Sequence, residues 1–508
     1  MNKNLPNIFI GACFFPTTMN HFDVVIVGGG VIGSAIAQQI SRYELNVAVF
    51  EKGSDVASAT SKANSGVIHS GINSAAGSLK ARFCIEGNKQ FNQLSKDLGF
   101  SIKWVGKYHI AKDENEEKEL LKLKQVGIQN GVTDLEIIDG KEVAKKEPNV
   151  SCYKGLWVPT AGILQPFEFT IALAEHAAIN KVRFFLETKV IGLKKQNDKF
   201  YIKTNKGDFS ADIVVNSAGV NCRDIISMIE EPDFNIYPCR GEYLILDKKY
   251  GSLINSIIYP VPVKELGVLG VHITPTIEGN ILLGPSAEFI DEEDDVQNTQ
   301  KTMKNLIIEA KEIISSIPEK GVIAGFSGIR CKLASEKEGG WADFRVEEST
   351  QTSGLINLLG IESPGLTGSV AIAKEVEKLI NNHKELEAKS DFISKRVKQK
   401  RFIEKTTTEQ NILIKQDPRW GRFICRCENV TEAEVINALN NPLGAKTIAS
   451  VKYRCRAGMG RCQGGFCTQH IVKIMEEQFN QNINNIKLKS PKSNLFMGRT
   501  REVNIYKK

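Results

Sequence analysis

A glycine turn set between two short apolar runs constrains this chain most. Val24-Val25-Ile26-Val27 leads into Gly28-Gly29-Gly30-Val31-Ile32-Gly33, and Val47-Ala48-Val49-Phe50 ends at Glu51. Unbroken apolar runs of this length suit strands buried on both faces of a parallel sheet. Gly28 permits a tight turn, Gly30 lets a pyrophosphate approach the backbone, and Gly33 lets the following helix press on the strand. The N-terminus of that helix offers unpaired N–H groups and a positive dipole end to phosphates. Glu51 is placed to bond ribose hydroxyls. A carboxylate there disfavours a 2′-phosphate, and with it NADP, while NAD and FAD both remain. The unit predicts an α/β fold with a Rossmann-like dinucleotide domain.

The rest of the 508 residues supports several domains with cores of their own. No apolar run approaches the ~20 residues of a membrane-spanning helix. A formal net charge of +7 is too small to indicate nucleic acid. Residues 1–22 read as an N-terminal extension, with Met19 as an alternative start. The apolar stretch from Ile8 to Phe15 fits a signal peptide poorly, being interrupted and preceded by one lysine. Eleven cysteines, most of them scattered, fit a reducing, cytoplasmic location better than a disulfide framework.

Strand-like texture from about 181 to 290 suggests a strand-rich substrate domain interleaved with the dinucleotide domain. Within that span, Ala211 to Gly219 reads as a buried strand ending in small residues, where Gly219 could make a second close approach to the dinucleotide. Residues 115–130 have the pattern of a helix with a wet, charged face. We divide the chain into the extension 1–22, an oxidoreductase unit 23–380, a linker 381–416, a compact cysteine module 417–478 and a basic, solvated tail 479–508.

Asp23 to about Ala373 resembles the glycine oxidase/D-amino-acid oxidase superfamily of FAD-dependent oxidoreductases. The runs Thr60-Ser61-Lys62-Ala63-Asn64-Ser65-Gly66-Val67-Ile68-His69-Ser70-Gly71 and Gly360-Ile361-Glu362-Ser363-Pro364-Gly365-Leu366-Thr367 are similar to its glycerol-3-phosphate oxidase and dehydrogenase branch. FAD is the cofactor this resemblance implies. It implies flavin contacts at Ile32, Glu51, Thr60, Ser61, Ser65, Gly66, Val67, Val190, Ile361, Glu362 and Thr367. The Ser-Pro-Gly turn would open a helix from Val370 onward, directing N–H groups at the flavin.

Oxidising an alcohol removes a hydride from carbon and a proton from the hydroxyl. Histidine suits the second task, and the resemblance implies that His69 is the proton acceptor. For His272, on the run Gly270 to Thr274, a structural role comes first. Arg330 and Lys332 alternate onto one strand face, and the resemblance implies that Arg330 holds the substrate anion, with Ser65 and Ser363 also touching substrate. The glycerol-3-phosphate branch commonly has a phosphate-binding lysine near the strand corresponding to Val271–Thr276. Here Lys264 is close but out of register. The stretch from Tyr259 through Thr276, like Gly77–Asn88, is similar instead to L-2-hydroxyglutarate dehydrogenases/oxidases.

Cys425-x-Cys427 and Cys462-x4-Cys467 supply four soft ligands in two pairs, suited to zinc or to an iron–sulfur cluster. Thr431-Glu432-Ala433-Glu434 between them is a capping box. The run from Arg456 to Cys467 resembles the bacterioferritin-associated-ferredoxin-like [2Fe–2S] domain, which makes that cluster the expected occupant ahead of zinc. Cys455 lies outside the pattern.

These readings describe a cytoplasmic FAD-dependent dehydrogenase, at most peripheral to a membrane through a partner. Its expected substrate is a small anionic alcohol, sn-glycerol 3-phosphate, oxidised to dihydroxyacetone phosphate. Electrons would leave through the cluster to an electron-accepting protein or quinone-linked subunit. L-2-hydroxyglutarate is the alternative substrate, and a non-catalytic redox sensor or complex subunit the alternative of another class.

Overall fold

The glycine turn lies where strand Asn20–Val27 gives way to helix Val31–Ile40. The computed structural model describes residues 20–262, 270–397 and 401–498. The alternative start Met19, most of the extension, Lys264 and the last ten residues of the tail lie outside the described residues. Strand Asn20–Val27 pairs in parallel with Val47–Phe50 on one side and Gly207–Asn216 on the other. Helix Val31–Ile40 is buried along its whole length, packed with helices Pro166–Ile179 and Gly365–Asn381 in one apolar cluster. Each fully buried Ile or Val there stabilises the fold by ~1.5–3 kcal/mol relative to exposure.

An eight-stranded sheet and a nine-stranded sheet organise the oxidoreductase unit among the described residues. The first holds the dinucleotide unit. The second runs through Tyr237–Leu246, Ile281–Gly284, His272–Pro275, Ile257–Pro260, Lys107–Ala111 and Lys154–Val158, with Val322–Lys332 paired along Tyr237–Leu246. The chain therefore enters the second sheet at Lys107, leaves it, and returns at Tyr237.

Interleaving is as expected, but the assignment of strands differs. Arg183–Phe185 is a further parallel strand beside Val47–Phe50, and Val190–Gln196 and Lys199–Thr204 extend the dinucleotide sheet through Gly207–Asn216. Residues 183–216 thus belong to the first sheet, whereas Lys107–Val158 supplies strands of the second. Alternation along a strand reports burial of its faces and carries no information about its neighbour.

The charged helix forms at Glu114–Gln129, with Leu120 and Gly127 as its buried residues and Asp113 capping it. The helix expected from Val370 starts earlier, at Gly365, immediately after Pro364. Pro at this entrance tolerates the lost N–H.

In the cysteine module, Thr431 and Glu434 make the reciprocal capping box that opens helix Glu432–Leu439. Helices Ile448–Cys455 and Cys467–Phe479 complete its core. The stretch after Phe479 differs from a solvated end: Ile486 is fully buried in the module core, with Leu495 and Phe496 packed beside it. Apolar side chains outweigh the basic composition there. No helix among the described residues is long and apolar enough to cross a membrane.

Candidate active site and cysteine centre

A single cavity of about 2490 Å³ runs along the junction of the two sheets. Its dinucleotide end is built by the glycine turn. Gly28 has φ +109°, and a Cβ there would press on the Ser217 carbonyl. A Cβ on Gly33 would run into the Gly28 carbonyl, so the third glycine is what lets helix and strand meet. Gly30 opens onto the cavity beside Ser61, whose hydroxyl accepts the Val31 N–H at 2.8 Å. Glu51 accepts N–H bonds from Gly29 at 2.8 Å and Gly53 at 2.6 Å. This carboxylate therefore ties the turn to the next loop while still facing the cavity. Such a cradle of backbone and small side chains fits an extended dinucleotide.

Gly28, Gly30, Ile32, Glu51, Thr60, Ser61, Ser65, Val67, Val190, Gly219, Ile361 and Glu362 all reach the cavity wall. Gly33, Gly66 and Thr367 support it from behind. Thr367 is fully buried; its hydroxyl accepts the His69 N–H at 2.9 Å and donates to the Val67 carbonyl. It thereby fixes the backbone that carries His69.

His69, Ser65, Ser363 and Arg330 line the same cavity. The His69 ring is brought to Ser363, with Nε2 3.4 Å from the hydroxyl oxygen. Burial, and secondly the Lys107 ammonium, push His69 down to about 3. The imidazole is therefore neutral at physiological pH. Arg330 lies flat against Gly241, where a Cβ would come within 2.8 Å of Nη2. It donates to the Ser286 carbonyl at 3.2 Å and forms no carboxylate ion pair among the described residues.

Sequence reading missed several neighbours. Lys80 and Lys332 grip the buried Glu362 at 2.9 and 3.2 Å. Burial opposes ionisation of Glu362, but the two lysines outweigh it and hold the carboxyl below its ordinary value. Arg330 is a third cation acting on Glu362, and Asp343, which accepts the Leu79 and Lys80 N–H groups, lines the same cavity. Lys332 was visible as the second residue on the Arg330 face; Lys80 had no local signal. Tyr259 stacks on His272 with ring centroids 3.7 Å apart, and both line the cavity. Behind them Lys107, fully buried, donates to Asn73 Oδ1 at 3.1 Å and lies over the Tyr259 ring. Burial lowers Lys107 to about 7.

Burial first, then Lys107, also holds His109 well below its ordinary value, and burial leads in the same way at His272. Folded-state values depressed below the unfolded ones stabilise the fold above the unfolded value near 6.5, and that stability is lost as pH falls. The melting temperature is expected to drop by roughly 5 °C or more between about pH 7 and about pH 5. Thermal scans of wild type and His109→Asn check this. The variant should show a shallower drop, and equal slopes in the two proteins would contradict it.

The four cysteines fall into two pairs. Cys427 and Cys462 have sulfurs 3.6 Å apart, and Cys425 lies within hydrogen-bond reach of Cys467. No group of three or more ligands gathers around a single point among the described residues. Two thiolate pairs would suit a two-iron cluster better than one tetrahedral zinc, and Cys425, Cys427, Cys462 and Cys467 are the residues that would hold it.

Residues 23–379 match the FAD dependent oxidoreductase (DAO) family. The chain belongs to the DAO family. Residues 423–477 of this DAO-family chain match the BFD-like [2Fe-2S] binding domain, so FAD and a [2Fe–2S] cluster are its cofactors. A glycerol 3-phosphate dehydrogenase from Caloramator mitchellensis is 40% identical over 94% of this chain and 99% of its own length. A mitochondrial L-2-hydroxyglutarate dehydrogenase from Arabidopsis thaliana is 31% identical over 70% of this chain and 82% of its own. Among solved DAO-type structures, dithionite-reduced L-alpha-glycerophosphate oxidase from Mycoplasma pneumoniae with FAD bound superposes with a TM-score of 0.71. It is 30% identical and covers 75% of this chain and 100% of its own. The protein is an FAD-dependent oxidoreductase homologous to glycerol-3-phosphate dehydrogenases and oxidases.

Proposed function

We propose that this enzyme oxidises sn-glycerol 3-phosphate to dihydroxyacetone phosphate and sends the electrons out through its [2Fe–2S] cluster. The observation that carries the reading is a neutral histidine and an anion-binding fork lining one cavity: His69 beside Ser363, and Arg330, which forms no carboxylate ion pair among the described residues. Arg330 binds the phosphate through its planar fork. Ser65 and Ser363 orient the substrate, and His69 Nε2 takes the hydroxyl proton as the carbinol carbon loses hydride. Lys80, Lys332 and Arg330 steady the negative charge that develops at this end. Bound FAD supplies the two-electron hydride acceptor, and the cluster supplies a one-electron carrier.

The cysteine module supports the electron route by position. Tyr453, Arg456, Met459 and Gln463 lie on the wall of the same cavity. In the same module Cys427 is exposed, and Phe466 is 74% exposed. Such exposed groups suit an electron-accepting protein or quinone-linked subunit in the cytoplasm. A second reading, L-2-hydroxyglutarate as substrate, is favoured by the Tyr259–His272 stack at the wall where a phosphate-binding lysine is otherwise expected.

Anaerobic mixing with each substrate tests both points. Glycerol 3-phosphate is expected to bleach the flavin band within the turnover time, with the cluster band following. Faster bleaching by L-2-hydroxyglutarate would replace the substrate, and a cluster band that never bleaches would end the electron route. Flavin reduced by neither compound would favour a redox sensor.

A further inference from the structure

The module does more than sit beside the flavin domain. Arg454 on helix Ile448–Cys455 is buried, bonding Glu175 at 2.9 Å and Asp55 at 3.1 Å. Asp55 lies on the loop that follows Glu51. Tyr453 packs on Phe167, and Leu443 joins Val56, Ile171 and Ala174 in one apolar cluster. Past the module's last helix, Lys487 reaches Glu187 at 2.6 Å, and Glu187 also holds Ser54. Both anchors grip segments that shape the dinucleotide end, 51–58 and 187–190.

Between Lys487 and Asn494 the chain makes a tight turn closed by a β-bridge. Ser493 Oγ accepts the N–H groups of Lys489 and Ser490 at 2.9 and 2.8 Å. The turn is tied to helix Ile448–Cys455, whose Ile448 and Ala449 N–H groups bond the Lys487 and Leu488 carbonyls. Its tip, Lys489 to Lys492, lies on the wall of the cavity that Gly30 and Ser61 also line. Lys62 and Lys452 stand on that wall too. Lysines from three separate segments thus share this wall, and Lys489 and Lys452 are close enough to Lys62 to act on its charge, as are the Glu51 and Asp55 carboxylates. None of the four forms an ion pair among the described residues. Burial, and secondly the charge of Lys489, lower Lys62 to about 8. Gathering like charges is unfavourable unless an anion joins them, and the anion that FAD brings to a glycine turn is its diphosphate.

We propose that the cysteine module and the 487–494 turn form the closing wall of the FAD site. In this arrangement Lys452, Lys489 and Lys492 complete the diphosphate's cationic surroundings. The glycine turn selects the cofactor, and the docked module sets how slowly it leaves. FAD enters while the module is displaced, so flavin retention depends on a domain that carries a different cofactor.

Release of FAD from the holoenzyme, followed by the fluorescence of free flavin after dilution, tests this without using turnover. Lys489→Glu/Lys492→Glu alters exposed side chains and should release FAD about tenfold faster, with cluster absorbance unchanged. The milder Lys489→Gln/Lys492→Gln pair removes the charges without reversing them and should release FAD about threefold faster. Lys473→Glu, on the exposed face of helix Cys467–Phe479, should leave the rate at the wild-type value. Wild-type release should also quicken with salt, and the reversed pair should lose that dependence. Wild-type release rates in the neutral pair, with cluster intact, would overturn the proposal, as would equal acceleration by Lys473→Glu.

Discussion

Replacing His69 with alanine is expected to slow flavin reduction by roughly 10²–10⁴-fold while FAD content stays the same. The magnitude follows from the proton, since an alcohol cannot pass hydride to an acceptor while keeping its hydroxyl hydrogen. His69 is fitted for that step by three separate features. Its backbone is pinned by Thr367 and by Asn88, whose amide donates to the His69 carbonyl at 2.9 Å. Its ring meets Ser363. Burial and Lys107 keep it unprotonated, with its value lowered to about 3. Anaerobic stopped-flow measurement of flavin bleaching reads the step directly. His69→Asn, which retains polarity without a comparable base, should be nearly as slow. A bleaching rate unchanged from wild type would remove His69 from the chemistry.

The second large effect belongs to Arg330. Arg330→Met should lower kcat/KM for the anionic substrate by roughly 10²–10³-fold, mostly through KM, because one side of a buried charge pair is lost. Arg330→Lys should recover part of this, since a lysine supplies charge without the bidentate fork. The guanidinium lies flat against Gly241, and a flexible ammonium has no such seat. Steady-state assays with an artificial acceptor separate KM from kcat. A variant with full affinity for glycerol 3-phosphate would move the anion site elsewhere on the wall, with Lys80 and Lys332 the nearest cations.

Local features were the ones legible in the sequence. The glycine turn, the two strands flanking it and the Thr431–Glu434 box each depend on residues a few positions apart, and each forms as read. Glu51 was legible as the acid at the end of its strand, and it does reach the cavity wall, but its grip on Gly29 and Gly53 was not legible. What stayed hidden depends on distant partners. Strand Arg183–Phe185 has the texture of any half-buried strand, and only its pairing with Val47–Phe50 places it in the first sheet. Lys107 looks like one more lysine near a surface helix, yet it is fully buried behind the site. The hold of Arg454 on Asp55 spans about four hundred positions, and no periodicity announces it. Ile486 was hidden for another reason: the apolar residues of its polar, basic stretch show no regular period.

The way the chain threads the two sheets has a consequence for how such an enzyme can change. Strands of the second sheet enter as two inserts, near Lys107–Val158 and Tyr237–Lys332, between pieces of the first. No single cut separates the two, so the halves cannot be traded as cassettes. New specificity has to be written residue by residue into the inserted strands, beneath an unaltered flavin cradle. The cysteine module hangs from one connection and could be gained or shed in a single recombination event. A lineage that shed it would inherit a cofactor site open on one side, and would have to rebuild that wall before it could hold its flavin as firmly.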